Sequence, residues 1–251
     1  MREIFFEPES VRRLVPLELI TRFHLPDPRS CDFGSGAYHL ERDPVRPGLL
    51  LAVRADSFGR DPLYIVHLNF SFLENIEISW IAANDPESPR FDVDLLGRLP
   101  LEPKSGGRNI PEELRAYDFG LWPNQVRRGL HLLGPALRCV EDYALAVGAG
   151  LLSIFPMEYH NAIEYEHYGF GYRSGEDLMR SIHGGFSENG TLTALLDGTG
   201  PFRRPELART VRGRSWAVHD GILDGDWYAP EMFKAVGTLN RLDTAPGVPW
   251  T

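Results

Sequence analysis

A chain of 251 residues, 43% hydrophobic and 24% charged, can bury a sizeable core without disulfide or metal staples. Its formal net charge of -9 argues against a nucleic-acid footprint, which needs a basic face, and no run reaches the ~18–20 apolar residues of a membrane helix. Cys31 and Cys139 give neither metal-ligand spacing nor a disulfide framework, and Met1-Arg-Glu-Ile-Phe-Phe-Glu-Pro does not read as a signal peptide, so a cytoplasmic protein is expected.

Residues 1–48 are rich in Pro and Arg. Within them Val11, Leu14, Leu17 and Ile20 recur every three residues and predict a helix over Glu9–Phe23. Strand patterns follow at Leu49–Val53, Tyr64–Phe72, Glu77–Ile81 and Arg90–Leu95, with Glu74-Asn75 as a hairpin turn. Their short spacing predicts an antiparallel meander. Residues 97–113, around Lys104-Ser-Gly-Gly-Arg108, read as a surface loop, and Ala116–Trp122 as a further strand stopped by Pro123. Ala136, Val140, Tyr143, Ala144 and Val147 share one face of a helix. It runs from Pro135, suited to a first helical position, to Gly148, suited to the position after the end. Leu151–Phe155 is a strand, and a helix through Asn161 stops at Gly169. Helices are predicted at Gly175–His183 and Pro230–Gly237, among turn dipeptides such as Asn189-Gly190 and Asp220-Gly221. Arg203, Arg204, Arg209, Arg212 and Arg214 form a local basic cluster.

Helix, strand, then a helix closing on Tyr165-Glu166-His167-Tyr168-Gly169-Phe170 resembles the C-terminal half of the acyl-CoA-dependent N-acetyltransferase (GNAT) superfamily. The resemblance implies an α+β fold, with a mixed sheet flanked by helices. On it, residues 40–172 form the core, 1–39 an N-terminal extension and 173–251 a C-terminal extension packed on that core. It implies acetyl-CoA or another acyl-CoA as cofactor and the amine of a small molecule or other acceptor as partner. Nucleic acid and membrane are not expected as partners, and oligomeric state stays open, a dimer included.

Residue by residue, the resemblance makes Tyr165 the acid that protonates the departing thiolate of coenzyme A. Asn161, one helical turn earlier on the same face, would bond the pantetheine amides, in place of the Asn that the family carries where Glu158 stands here. The family opens its central helix with an Arg/Gln-x-x-Gly-x-Gly/Ala turn whose N–H groups cradle a pyrophosphate. Here that motif falls on Arg128-x-x-His131-x-Leu133 or on His131-x-x-Gly134-x-Ala136. Arg127, Arg128, Gly129, His131 and Gly134 are therefore the phosphate candidates. A base must take the proton of the attacking amine; Asp118 and Glu77 are the strand acids available. The arginines at 203–214 are candidates for the 3′-phosphate of coenzyme A or an acidic ligand, against a solvated basic face. After Gly-Phe the family finishes with two strands, which the sequence pattern of 171–251 does not announce.

Two readings from other classes stand beside this one. His160, Glu164 and His167 lie on one helix face at i, i+4 and i+7 and suggest a metal. Seven residues span roughly 10 Å, too far for one ion to take all three, so no metal is favoured. A chain with this fold and a broken pyrophosphate turn could also bind ligands without catalysing transfer.

Overall fold

The computed structural model describes residues 3–31, 33, 36–43, 45–54, 61–71, 75–93, 108–225 and 227–251. The loop around Lys104–Gly107, Glu74 of the predicted turn, and Leu95 lie outside them. The chain is α+β, and its strands form an open, mixed sheet. It divides into two compact units: Met1–Ser88, Gly129–Phe155 and Phe233–Leu239 in the first, Pro89–Arg128, Pro156–Met232 and Asn240–Thr251 in the second.

In the first unit the predicted Glu9–Phe23 helix is broken. Helix α1 covers Pro8–Val11, a 3-10 turn Arg12–Leu14, and α2 Leu17–Phe23. Pro16 is the cause: it has no N–H, and it drives Val15 to extended backbone (φ -96°, ψ 115°). The break also shifts the buried face, so Leu17 is 71% exposed and Leu19 is fully buried.

Strands β1 (Tyr38–Arg42), β2 (Gly48–Val53), β3 (Tyr64–Phe70) and β4 (Asn75–Ala83) make the expected antiparallel meander, with β1 added to it. Gly48 opens β2 where a Cβ would meet the Leu68 carbonyl oxygen at 2.6 Å, so only glycine fits. At the end of β4, Asn84 bridges Gly129, and Leu130 N–H donates to the Ala83 carbonyl at 3.0 Å.

Between these points lies α3 (Ile110–Phe119) of the second unit. Its C-terminal part takes the place of the predicted Ala116–Trp122 strand. Pro111 and two acids start it, and Gly120 (φ 96°) caps it, so start and stop signals override the strand-like composition. The predicted Arg90–Leu95 strand is also absent over its described residues. Phe91 and Val93 instead pack with Ala116 and Leu121 in a small core.

Helix α4 (Leu133–Val147) follows in the first unit, then β5 (Leu151–Ile154), parallel to β4 with Glu77 opposite Ser153. Phe5 stacks on Phe70 at 4.2 Å, and Tyr143 donates to the Phe5 carbonyl at 2.8 Å, tying the N-terminal segment to α4.

The second unit resumes with α5 (Tyr159–His167), β6 (Gly171–Ser174), α6 (Glu176–Gly185), the short α7 (Thr191–Ala194) and α8 (Val211–His219). Trp216 of α8 is fully buried and stacks on Phe202 at 4.7 Å. The predicted Pro230–Gly237 helix is a strand, β7 (Glu231–Ala235): Met232 and Lys234 are buried in alternation, a period-2 pattern. Strand order is β1-β2-β3-β4-β5-β7-β6. Among the described residues no helix is long and apolar enough to cross a membrane.

Candidate functional site

The pleat of β4 sends Ile76 and Ile78 to one face, each 1% exposed, and Asn75, Glu77 and Ser79 to the other. Around Glu77 this second face is a chain of neutral donors. Asn69 Nδ2 donates to Glu77 Oε1 at 3.1 Å and to Ser79 Oγ at 2.7 Å, and Ser79 Oγ donates to the same carboxylate at 3.0 Å. Asn75 Nδ2 reaches Ser153 of β5 at 2.9 Å. Arg46 Nη1 lies 3.9 Å from Glu77 Oε1. Farther along, His67 Nε2 is 2.9 Å from Asp43. Burial raises the Asp43 pKa, but N–H bonds from Arg46 and Val45 and the His67 imidazole outweigh it and hold it below the usual range.

The sequence-predicted phosphate residues of this unit lie in the first turn of α4 (Gly134) and in the segment before it (Gly129, His131). Leu132 precedes that turn without a side-chain cap, so the N–H groups of Leu133 and Gly134 have no acceptor within the helix. Pro135 supplies no N–H. His131 is exposed with left-handed backbone (φ 58°), Gly134 is buried, and Gly129 is fixed by its bridge to Asn84. Arg127 and Arg128 belong to the second unit, where Arg128 lies over the Phe119 ring at 5.0 Å.

In the second unit Tyr165, Glu166, Gly169 and Phe170 of the motif have structural roles. Phe170 N–H donates to the Tyr165 carbonyl at 3.1 Å and Gly169 N–H to that of Glu166 at 2.9 Å, with Gly169 at φ 86°. This is the paired bonding of a Schellman cap, and the Tyr165–Phe170 ring contact at 5.4 Å is its usual apolar clasp. Glu166 is buried and accepts from Tyr172 Oη at 2.5 Å, Thr244 N at 2.9 Å and Thr244 Oγ1 at 2.6 Å. Tyr165 is 7% exposed; burial, with the charge of Glu164, pushes its phenol upward, so it stays protonated at neutral pH. Asn161 is half-buried on the same helix.

Asp118, expected on a strand, sits exposed on α3. The helix-face trio is engaged piecemeal. His160 is buried with Nδ1 2.8 Å from Ser215 Oγ, its ring stacked on Trp122 at 4.7 Å, and burial pulls its pKa down to about 4. His167 Nδ1 donates to the Ile163 carbonyl at 2.8 Å, and burial raises Glu164. Among the described residues no group of three ligands could hold a metal ion. The arginine run is likewise divided. Arg203 pairs with Asp220 at 3.0 Å, Arg212 donates to the Leu121 and Tyr117 carbonyls, and Arg214 is buried.

Sequence reasoning misses the densest charge cluster of this unit. Glu113 of α3, Glu158 at the start of α5 and His219 at the end of α8 have side chains 3%, 7% and 5% exposed. His219 Nε2 is 3.6 Å from Glu113 and its Nδ1 3.3 Å from Glu158, whose other partner is Asn124. Arg108 grips Glu113 through Nε and Nη2 and reaches Asp220 at 2.5 Å. With His219 protonated, three carboxylates face three cations. Burial lowers the His219 pKa, but bonds and charges from Glu113 and Glu158 outweigh it and raise it. Burial raises Glu113, yet His219 and Arg108 hold it at about 2. The cluster is thus neutral and saturated, an arrangement suited to joining three helices rather than to exchanging protons. Its one sequence signal is Glu158, the acid standing at the family's Asn position.

No family model, curated protein or solved structure matches this chain, so its function is inferred from its own residues and the resemblance they carry.

Proposed function

We propose that the protein is a GNAT-like, acyl-CoA-dependent acyltransferase acting on an amine. The succession β4, α4, β5 carries this reading, with β4 and β5 parallel and α4 launched where the chain returns to the end of β4. The two strands that the resemblance requires after Gly-Phe have counterparts in β6 and β7, with residues 175–230 inserted between them.

On this reading the uncapped first turn of α4, with Gly134, receives the pyrophosphate. Glu77, rather than the exposed Asp118, takes the proton of the amine as its nitrogen attacks the thioester carbonyl. The C–N bond forms, the C–S bond breaks, and the departing thiolate takes its proton from solvent. Acetyl-CoA is expected to raise the melting temperature, and Glu77→Gln to lower turnover by ~10²-fold or more while leaving that binding shift in place. No shift at millimolar acetyl-CoA would sink the cofactor, and turnover unchanged in Glu77→Gln would remove the base.

Two observations favour a second reading. Pro135 deletes a donor from the turn, and Tyr165, Gly169 and Phe170 are accounted for as a helix cap. A non-catalytic acyl-CoA binder would show the thermal shift yet no transfer to a broad amine panel.

A further inference from the structure

Antiparallel partners share a face of a sheet, as do residues two apart in one strand. His67 and Asn69 of β3 therefore stand on the face of Trp80 and Glu77, their register partners in β4. A one-residue register shift between His67 and Leu68 is what brings Trp80 to this face together with Glu77 and Ser79. All of these residues belong to the first unit. The face reaches solvent: the side chains of Glu77, Asp43 and His67 are 29%, 12% and 11% exposed.

Hydrogen bonding gives this face its chemistry. Asn69 Nδ2 and Ser79 Oγ both donate to Glu77 Oε1, so these neighbouring donors are engaged. Glu77 Oε2 takes no hydrogen bond among the described residues. His67 is placed in the same way. An ionised carboxylate only accepts, so Asp43 Oδ2, 2.9 Å away, fixes the proton of the neutral imidazole on Nε2. Nδ1 is then an acceptor, and no described residue bonds it. Asp43 is itself fixed, its Oδ1 accepting from the Val45 and Arg46 N–H groups at 2.7 and 2.9 Å.

The face thus offers two open acceptors and the charge of two carboxylates. Against them stands Arg46, whose side chain is 66% exposed and so screened by water. Such a face selects a cation that brings its own N–H donors. Glu77 lies opposite Asn69, two residues along β3 from His67, so the two acceptors are ~7 Å apart, a gap that about four carbons span. Trp80, across the ladder from His67, adds an aromatic surface of the kind that attracts an ammonium. We propose that this face binds a short diamine, one nitrogen bonded to Glu77 and the other to His67. Its role as the acyl acceptor rests on the acyl-transfer reading; its binding does not.

The test is isothermal titration of the full chain with 1,4-diaminobutane and with butylamine, at about pH 8.5, where alkylammonium groups stay charged. The diamine should bind about tenfold more tightly, because its second nitrogen adds a charge-assisted bond. His67→Phe should bring the diamine down to the level of butylamine and leave butylamine unchanged. Asp43→Asn should do the same with the imidazole in place. Its amide oxygen stays on the Val45 and Arg46 N–H groups, its NH₂ faces Nε2, and the ring proton moves to Nδ1, where it opposes an ammonium. A diamine bound no more tightly than butylamine would overturn the proposal, as would a preference that survives in Asp43→Asn. If His67→Phe does not fold, Asp43→Asn decides alone. Assays with acetyl-CoA separate the two readings. A diamine preference in binding without turnover removes acyl transfer and keeps the site, whereas equal KM for both amines overturns the diamine and keeps acyl transfer.

Discussion

Glu77 and Glu113 are both carboxylates on regular elements, yet their surroundings treat charge in opposite ways. Glu77, on the sheet of the first unit, is held by the neutral donors of Asn69 and Ser79, with the Arg46 guanidinium 3.9 Å away. Glu113, on α3 of the second unit, is gripped by Arg108 and faced by His219. Arg108 and His219 hold Glu113 in its charged form, at pKa about 2. Acidity of residue type therefore says little about chemistry, and the partners decide it.

Substitutions can break this comparison. Glu113→Gln leaves Arg108 and His219 facing a lost charge in a buried cluster, and is expected to destabilise the protein by about 3 kcal/mol. The midpoint of urea unfolding checks it; a loss below ~1 kcal/mol would mean that the cluster is solvent-relaxed. Stability against pH sharpens the same point. The His219 pKa is raised above 6.5 in the folded state, so its contribution is full below pH 6.5 and is lost as pH rises through the folded value. The Glu113 pKa is lowered from 4.5 to about 2, so its contribution is full above pH 4.5 and is lost as pH falls towards 2. The stability gap between wild type and His219→Gln should thus stay constant over pH 5 to 6.5 and shrink as pH rises further; a gap unchanged to pH 9 would contradict the ion pair.

Thr210→Ala removes the side-chain acceptor for Gly213 N–H at 2.9 Å at the start of α8, and should cost about 1 kcal/mol by the same unfolding measurement. The smallest change in stability belongs to Glu77→Gln. Its amide oxygen still accepts from Asn69 and Ser79, so the urea midpoint should move by less than ~1 kcal/mol. A fall as large as that of Glu113→Gln would erase the contrast between the two sites.

Local patterns make much of the fold legible. The faces of α4, the meander of β2 to β4 and the stop at Gly169 are each written in neighbouring residues, because period and cap act within a few positions of the chain. The elements that differ from expectation are those where two local signals compete. Ala116–Trp122 looks β-like by composition, but Pro111, Glu112 and Gly120 frame a helix. Met232 and Lys234 alternate across a strand although the segment also fits a short helix.

The sequence by itself determined the helix, strand and helix succession of α4, β5 and α5 and the cap that closes α5. These follow from hydrophobic period, from glycine's access to left-handed backbone and from the helix stop signals. Only the tertiary structure decided which charges meet. Glu113, Glu158 and His219 come from positions up to 106 residues apart, 113 to 219, and Arg214 is parted from its own basic run by burial. Charge pairing depends on distance in space, which no local pattern encodes.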